Sequence, residues 1–201
     1  GTGEPDFRSL IPNRMFHNNG KGRFVEVTAA AGVGSLQKGH GVAFADMDND
    51  GDQDIYTVMG GAYEGDNAHN LFFENPGSGN HWVTLAMEGT NSARCAIGTR
   101  VRVTVTTPKG DRDIHVSVGT GGSFGSSSLR QEIGLGDATA IAQVEVTWPR
   151  SMKKEIFTNV RMDAAAKLVE GKGTAELWTL PKVKLKGNAA PHVHDAEAHA
   201  H

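Results

Sequence analysis

The chain has 201 residues with 20 basic and 23 acidic side chains, which gives a net charge of −3 when histidine is neutral. This balance lacks the basic field that nucleic-acid binding requires. No stretch reaches ~18 consecutive apolar residues, so no membrane-spanning segment is predicted. The single cysteine, Cys95, excludes an internal disulfide framework. The 26 glycines favour many turns and therefore short strands.

The first part of the sequence alternates short strand-like runs with turn signals. The runs are residues 13–17, 23–28, 41–45, 55–59 and 70–74. The segment 75–79, which contains one proline and two glycines, breaks the pattern and predicts a domain boundary. We therefore expect an N-terminal extension at residues 1–12 and a first β unit at residues 13–79.

The second part, residues 80–173, is again rich in alternating strand-like runs. In the run from 99 to 107, the alternation directs Val101, Val103 and Val105 towards a core. Strands spaced by roughly 8–12 residues predict an antiparallel β-sandwich or barrel. Residues 162–168 are the best helical candidate, but they span no more than two turns. Residues 174–201 are expected to add a strand and a histidine-rich tail, so the predicted fold class is all-β.

The strongest chemical signal is the segment 46–54, which holds five aspartates in nine residues. Carboxylates this close repel one another and need a compensating cation. Side chains at loop positions 1, 3, 5 and 9 converge on one point, position 7 offers its carbonyl, and glycine at position 6 permits the sharp turn. The spacing predicts Ca²⁺ ligands, with all-oxygen ligation favouring this ion over Mg²⁺. The predicted ligands are the carboxylates of Asp46, Asp48, Asp50 and Asp54 and the carbonyl of Asp52.

Two other interpretations of this segment are weaker. An EF-hand needs a bidentate glutamate at position 12, where this chain has Thr57, and its flanking segments are helical rather than strand-like. A solvated acidic turn is the other alternative, because aspartate and glycine are common turn residues. A calcium ion here is expected to make the hairpin rigid, since its binding energy adds to the folding energy.

Three further features carry weaker chemical signals. Residues 121–125 fit the G-x-S-x-G pattern of a hydrolase nucleophile, Ser123, but that motif requires a strand-to-helix turn, and the all-β context favours a Gly/Ser-rich turn. Cys95 follows Arg94, which would lower a thiol pKa, although a buried structural cysteine is expected instead. In the tail, His192 pairs with His194 and His199 with His201, spacings that suit Zn²⁺, Ni²⁺ or Cu²⁺, with an adventitious tail as the favoured alternative.

Residues 13–59 resemble an FG-GAP or VCBS-type repeat, a propeller blade with a calcium loop. The motifs that carry this resemblance are NRMFHNNGKGRFVEVTAAAGV and GHGVAFADMDNDGDQDIYTV. Residues 80–171 resemble the ASPIC and UnbV domain that often follows such repeats in secreted bacterial proteins. This second resemblance rests on NHWVTL, IGTRV, residues 119–128, IGLG and VEVTWP. The resemblance implies Ca²⁺ bound by the aspartate loop and no catalytic residues.

The chain departs from this pattern in having only one clear blade, whereas the relatives typically carry several. The apolar side chains of a lone blade need cover; they are Phe16, Phe24, Phe44, Ile55, Tyr56, Leu71 and Phe72. Either the blade packs on the sandwich, or the chain is a fragment, or another subunit completes the burial.

These observations predict a non-enzymatic, calcium-stabilised protein-interaction or structural module, located outside the cell, on its surface or in the periplasm. It is expected to belong to a larger assembly, through a protein partner or self-assembly at the uncovered blade face, with no nucleic acid, membrane span or small-molecule substrate inferred. One alternative is an accessory subunit of a redox or metal-handling complex that uses the histidine tail. A hydrolase using Ser123 ranks last.

Overall fold

A computed structural model describes residues 12–36, 39–60, 68–121 and 126–185. These residues form thirteen strands and no helix, which confirms the all-β prediction. The helical candidate at residues 162–168 was wrong, because most of it lies in the strand Ala164–Val169. There the helix propensity of Ala164, Ala165 and Ala166 is overridden by pairing with a neighbouring strand. Across the described ranges, no helix has the length and apolar character needed to cross a membrane.

The first unit consists of a small hairpin and a three-stranded antiparallel sheet. The hairpin strands are β1 (Phe16–Asn18) and β2 (Phe24–Glu26). The sheet contains β3 (Gly39–Ala45), β4 (Asp54–Met59) and β5 (Leu71–Phe73), in the order β3-β4-β5. The aspartate-rich segment is the connection between β3 and β4, so it closes a β-hairpin as expected.

The second unit contains two four-stranded sheets. The first has the order β11-β10-β7-β8 and is made of Lys154–Phe157, Ala140–Thr147, Arg100–Thr107 and Gly110–Ser117. The second has the order β13-β12-β6-β9 and is made of Glu176–Trp178, Ala164–Val169, His81–Glu88 and Gln131–Gly136. In the described part of the chain the sheets do not close into a barrel. Of the two predicted architectures, a sandwich or a barrel, the structure therefore has the sandwich.

One strand pair differs from the antiparallel expectation. β12 runs parallel to β6, with Ala166 opposite Leu85. After β11, the chain leaves the first sheet and enters the second beside its β6 strand, and this crossing sets the parallel direction. Side-chain alternation along a strand is the same in both directions, so the sequence pattern cannot reveal this choice.

The core of the second unit lies between its two sheets and draws residues from both. Val101, Val103 and Val105 are almost completely buried, which confirms the alternation predicted for β7. Trp148 and Phe157 meet edge to face in the same core, with ring centroids 6.5 Å apart. The indole N–H of Trp148 donates to Glu155 Oε2 at 2.8 Å, so its polar atom is also satisfied.

The first unit, by contrast, leaves aromatic side chains uncovered. Exposed among the predicted set are Phe16, Phe24, Phe44, Tyr56 and Phe72, while Ile55 and Leu71 are half-buried. Exposure reaches 69% at Phe24 and 44% at Phe44. Contacts between the first unit and the sandwich therefore do not cover this apolar surface within the described residues.

Candidate metal site

The aspartate loop, residues 46–53, gathers three of the predicted ligands. Asp46, Asp48 and Asp50 each place one carboxylate oxygen within 4.8 Å of the other two. Asp46 is buried, with 3% of its surface exposed, and the other two are half-buried. The chain turns sharply here because Asn49 and Gly51 both adopt positive φ, at 59° and 103°.

Backbone N–H groups of the same loop point inwards and hold these carboxylates. Asp46 accepts hydrogen bonds from the N–H of Asp50 and of Gly51, both at 3.1 Å. The N–H of Asp50 also donates to Asp48 at 3.2 Å, and the N–H of Asp52 donates to Asp50 at 2.9 Å. The turn thus gathers the acidic side chains through its own backbone.

The predicted ligand Asp54 makes different contacts. It is buried, and its two carboxylate oxygens accept hydrogen bonds from the N–H of Met47 at 3.1 Å and of Asn75 at 2.8 Å. These bonds close the base of the hairpin and attach the segment that follows β5. Neither Asp54 nor Asp52 belongs to the group of converging carboxylates.

The electrostatic environment of the loop opposes the charged form of two carboxylates, Asp46 and Asp52. Burial, followed by the nearby carboxylates of Glu132 and Asp50, raises the pKa of Asp46 despite the hydrogen bonds that it accepts. Burial and the carboxylates of Asp50, Asp54 and Asp48 likewise raise the pKa of Asp52. A cation placed among these oxygens would reverse this effect.

The loop is also held from outside, by strand β9 of the second unit. The side chain of Glu132 is only 4% exposed, and its Oε2 accepts hydrogen bonds from the N–H of Asp46 at 3.0 Å and from Gln53 Nε2 at 3.2 Å. Its other oxygen accepts from Arg130 Nη2 at 3.2 Å. Glu132 therefore fixes the backbone at the first position of the loop.

A second group of contacts fixes the tip of the loop. Arg130 Nη1 donates to Asn49 Oδ1 at 3.3 Å, and Asn49 Nδ2 donates to the carbonyl of Pro181 at 2.8 Å. The N–H of Val183 donates to the carbonyl of Asp48 at 2.8 Å. The loop thus lies between β9 and the segment that follows β13.

The indole of Trp82, on β6, makes the third contact. It packs so closely on Gly51 that a Cβ at this position would overlap the indole ring. Two constraints therefore require glycine at position 51: the positive φ of the backbone and the close contact with the indole. No local sequence pattern connects residues so far apart along the chain, so the sequence alone does not reveal Trp82, Arg130 or Glu132 as neighbours of the loop.

The donor set fits Ca²⁺. Three carboxylates offer hard oxygen ligands, and the positive-φ turn aims them at one point. The remaining carboxylates, Asp52 and Asp54, add negative charge close to them.

Most of the other candidate residues fall outside the described ranges. Ser123 and the four histidines of the tail, His192, His194, His199 and His201, are outside the described residues. The expectation of a buried Cys95 was wrong, since this side chain is exposed. In the turn that contains Cys95, the buried side chain is that of Ala96, whose φ is 55°.

Comparison with known proteins agrees with this architecture. Residues 4–57 match the family described as FG-GAP-like repeat, and residues 89–175 match the family described as ASPIC and UnbV. The chain is thus similar to an FG-GAP-like repeat in its first part and to an ASPIC and UnbV domain in its second. These families are not typical enzymes and indicate a β-rich protein-interaction module.

Two curated relatives have the same name. The chain is 53% identical over 45 residues to cartilage acidic protein 1 of Mus musculus and, equally, to that of Homo sapiens. The match covers 22% of this chain and 7% of each relative, so the chain spans only a small part of their length.

Replacing Gly51 with alanine should destabilise the protein more than the same change at Gly110. Both glycines have strongly positive φ, at 103° and 107°, but only the Cβ at position 51 meets another residue, Trp82. Overlap in a packed contact adds about 1–3 kcal/mol to the backbone strain that both variants share. Urea unfolding in the presence of chelator measures the difference. Equal losses in the two variants would contradict close packing of the loop on Trp82.

Proposed function

We propose that this protein is a non-enzymatic interaction module whose first unit is stabilised by Ca²⁺ at the aspartate loop. The main support for the calcium site is that the carboxylates of Asp46, Asp48 and Asp50 converge in a turn that is held by its own backbone hydrogen bonds. These residues would hold the ion, which supplies positive charge that compensates their repulsion. Because such a site is absent from the unfolded chain, binding adds to the stability of the folded protein.

The position of the loop supports a structural role for the ion. The loop joins β3 to β4 and contacts β9 and Trp82, so a change in its conformation alters both units. A cation there would hold the hairpin and its contacts in one arrangement.

We also propose an extracellular, surface or periplasmic location. Calcium sites of moderate affinity suit the millimolar concentrations found outside the cytoplasm. The name of the mouse and human relatives refers to cartilage, a tissue rich in extracellular matrix, and supports the same location.

The interaction surface in this proposal is the apolar face of the β3-β4-β5 sheet. Phe44, Ile55 and Phe73 lie side by side across its three strands. They line a cleft made of two pockets of about 200 Å³ each, both of which Met15 and Val33 also line. Partly exposed apolar surface of this kind marks protein-interaction sites, so we assign this face to a protein partner or a second copy of the chain.

Calcium should raise the melting temperature of the full chain relative to chelator. At a free calcium concentration about 100 times the Kd, the gain is about 2.7 kcal/mol, or roughly 5–10 °C for a protein of this size. D48N should abolish most of the shift, whereas D137N, the same charge change in the exposed β9–β10 turn, should retain it. Differential scanning calorimetry measures both. An unchanged melting temperature in the unmutated protein would overturn the calcium site.

The blade face should drive association at high protein concentration. F44S removes an aromatic side chain from the cleft and should lower the average mass in sedimentation equilibrium. L177S is the control, because Leu177 is similarly exposed, at 48% against 44%, but lies on β13 of the second unit. Should the unmutated chain stay monomeric at high concentration, self-assembly through this face is excluded; equal effects of both substitutions would also count against it.

A further inference from the structure

We infer that Arg130 and Glu132, on the second unit, are positioning residues for the calcium site of the first unit. This inference rests on the proposed calcium site. The aspartate loop is anchored from outside at Asp46 by Glu132 and at Asn49 by Arg130. Calcium affinity should therefore depend on residues of the ASPIC and UnbV domain.

The physical reason is the cost of holding three carboxylates together before the ion arrives. Asp46, Asp48 and Asp50 repel one another, and a free loop would separate them to reduce this repulsion. External hydrogen bonds to the backbone of Asp46 and to the side chain of Asn49 keep the turn closed. A site that is ordered in advance loses less conformational freedom on binding and so binds more tightly.

Arg130 and Glu132 are joined to each other and to the loop by hydrogen bonds. The guanidinium of Arg130 donates one hydrogen bond to Glu132 and another to Asn49. Glu132 in turn accepts a hydrogen bond from the N–H of Asp46. Both side chains are well covered, with 27% of Arg130 and 4% of Glu132 exposed. Loss of Arg130 would leave the Oδ1 atom of Asn49 and the Oε1 atom of Glu132 without this donor.

Because Arg130 is positively charged, its replacement distinguishes a positioning role from a purely electrostatic effect on calcium affinity. A cation close to the loop repels Ca²⁺, so electrostatics alone predicts that neutralising Arg130 strengthens calcium binding. Positioning predicts the opposite, because the turn loses the group that holds its tip. The sign of the change distinguishes the two effects.

The test is calcium titration of the full chain by isothermal titration calorimetry. R130Q should bind Ca²⁺ about fivefold or more weakly, the effect of losing roughly one net hydrogen bond. R100Q is the matched control, because it removes the same charge from β7 in the other sheet and should leave the affinity unchanged. Near-ultraviolet circular dichroism in chelator verifies that each variant is folded.

A second variant removes the same contact without a change of charge. N49G retains a residue that accepts positive φ but loses the side chain that contacts Arg130 and Pro181. It should also weaken binding, and the double variant R130Q/N49G should lose less affinity than the sum of the two single losses, since both single variants remove the Arg130–Asn49 contact.

The outcomes separate this inference from the proposed function. If the unmutated chain shows no calcium heat, the calcium site itself is wrong and the inference falls with it. If the unmutated chain binds and R130Q binds equally well or more tightly, only the positioning role is overturned. Additive losses in the double variant would also contradict a shared contact.

Discussion

Mutual repulsion among the carboxylates of one short loop is the constraint on which the first unit depends. The β3–β4 hairpin can close only if that repulsion is offset. Three features do so here: the inward N–H groups of the loop itself, the separate use of Asp54 to close the hairpin base, and the guanidinium of Arg130 at the tip of the loop. The raised pKa of Asp46, caused first by burial and then by Glu132 and Asp50, shows that some repulsion remains. A divalent cation is the natural complement to this arrangement.

The same loop connects the two units of the chain. Its residues contact β9 through Glu132, β6 through Trp82 and the C-terminal segment through Val183. The second unit has a complete apolar core of its own, whereas the first has a small hairpin and a sheet with exposed aromatic side chains. The first unit therefore gains order from its neighbour, and in the proposed function it gains more from the ion and uses its apolar face for interaction.

Much of the fold could be predicted from the sequence, because strand alternation is a local property. The buried positions of Val101, Val103 and Val105 and the hairpin around the aspartate loop follow directly from residue spacing. The parallel pairing of β12 with β6 and the contact of Glu132 with Asp46 do not, since they depend on chain path and on residues far apart. Asp54 fits the ligand spacing, yet the structure uses its oxygens for the N–H groups of Met47 and Asn75.

The most direct test of a calcium loop shared between two units is amide hydrogen exchange of the full chain, with and without Ca²⁺. We predict slower exchange in the loop and also outside it, at the Val183 N–H, which donates to Asp48, and along Gln131–Gly136. Protection confined to residues 46–54 would mean that calcium orders the loop alone, and unchanged exchange throughout would contradict a calcium-dependent connection altogether.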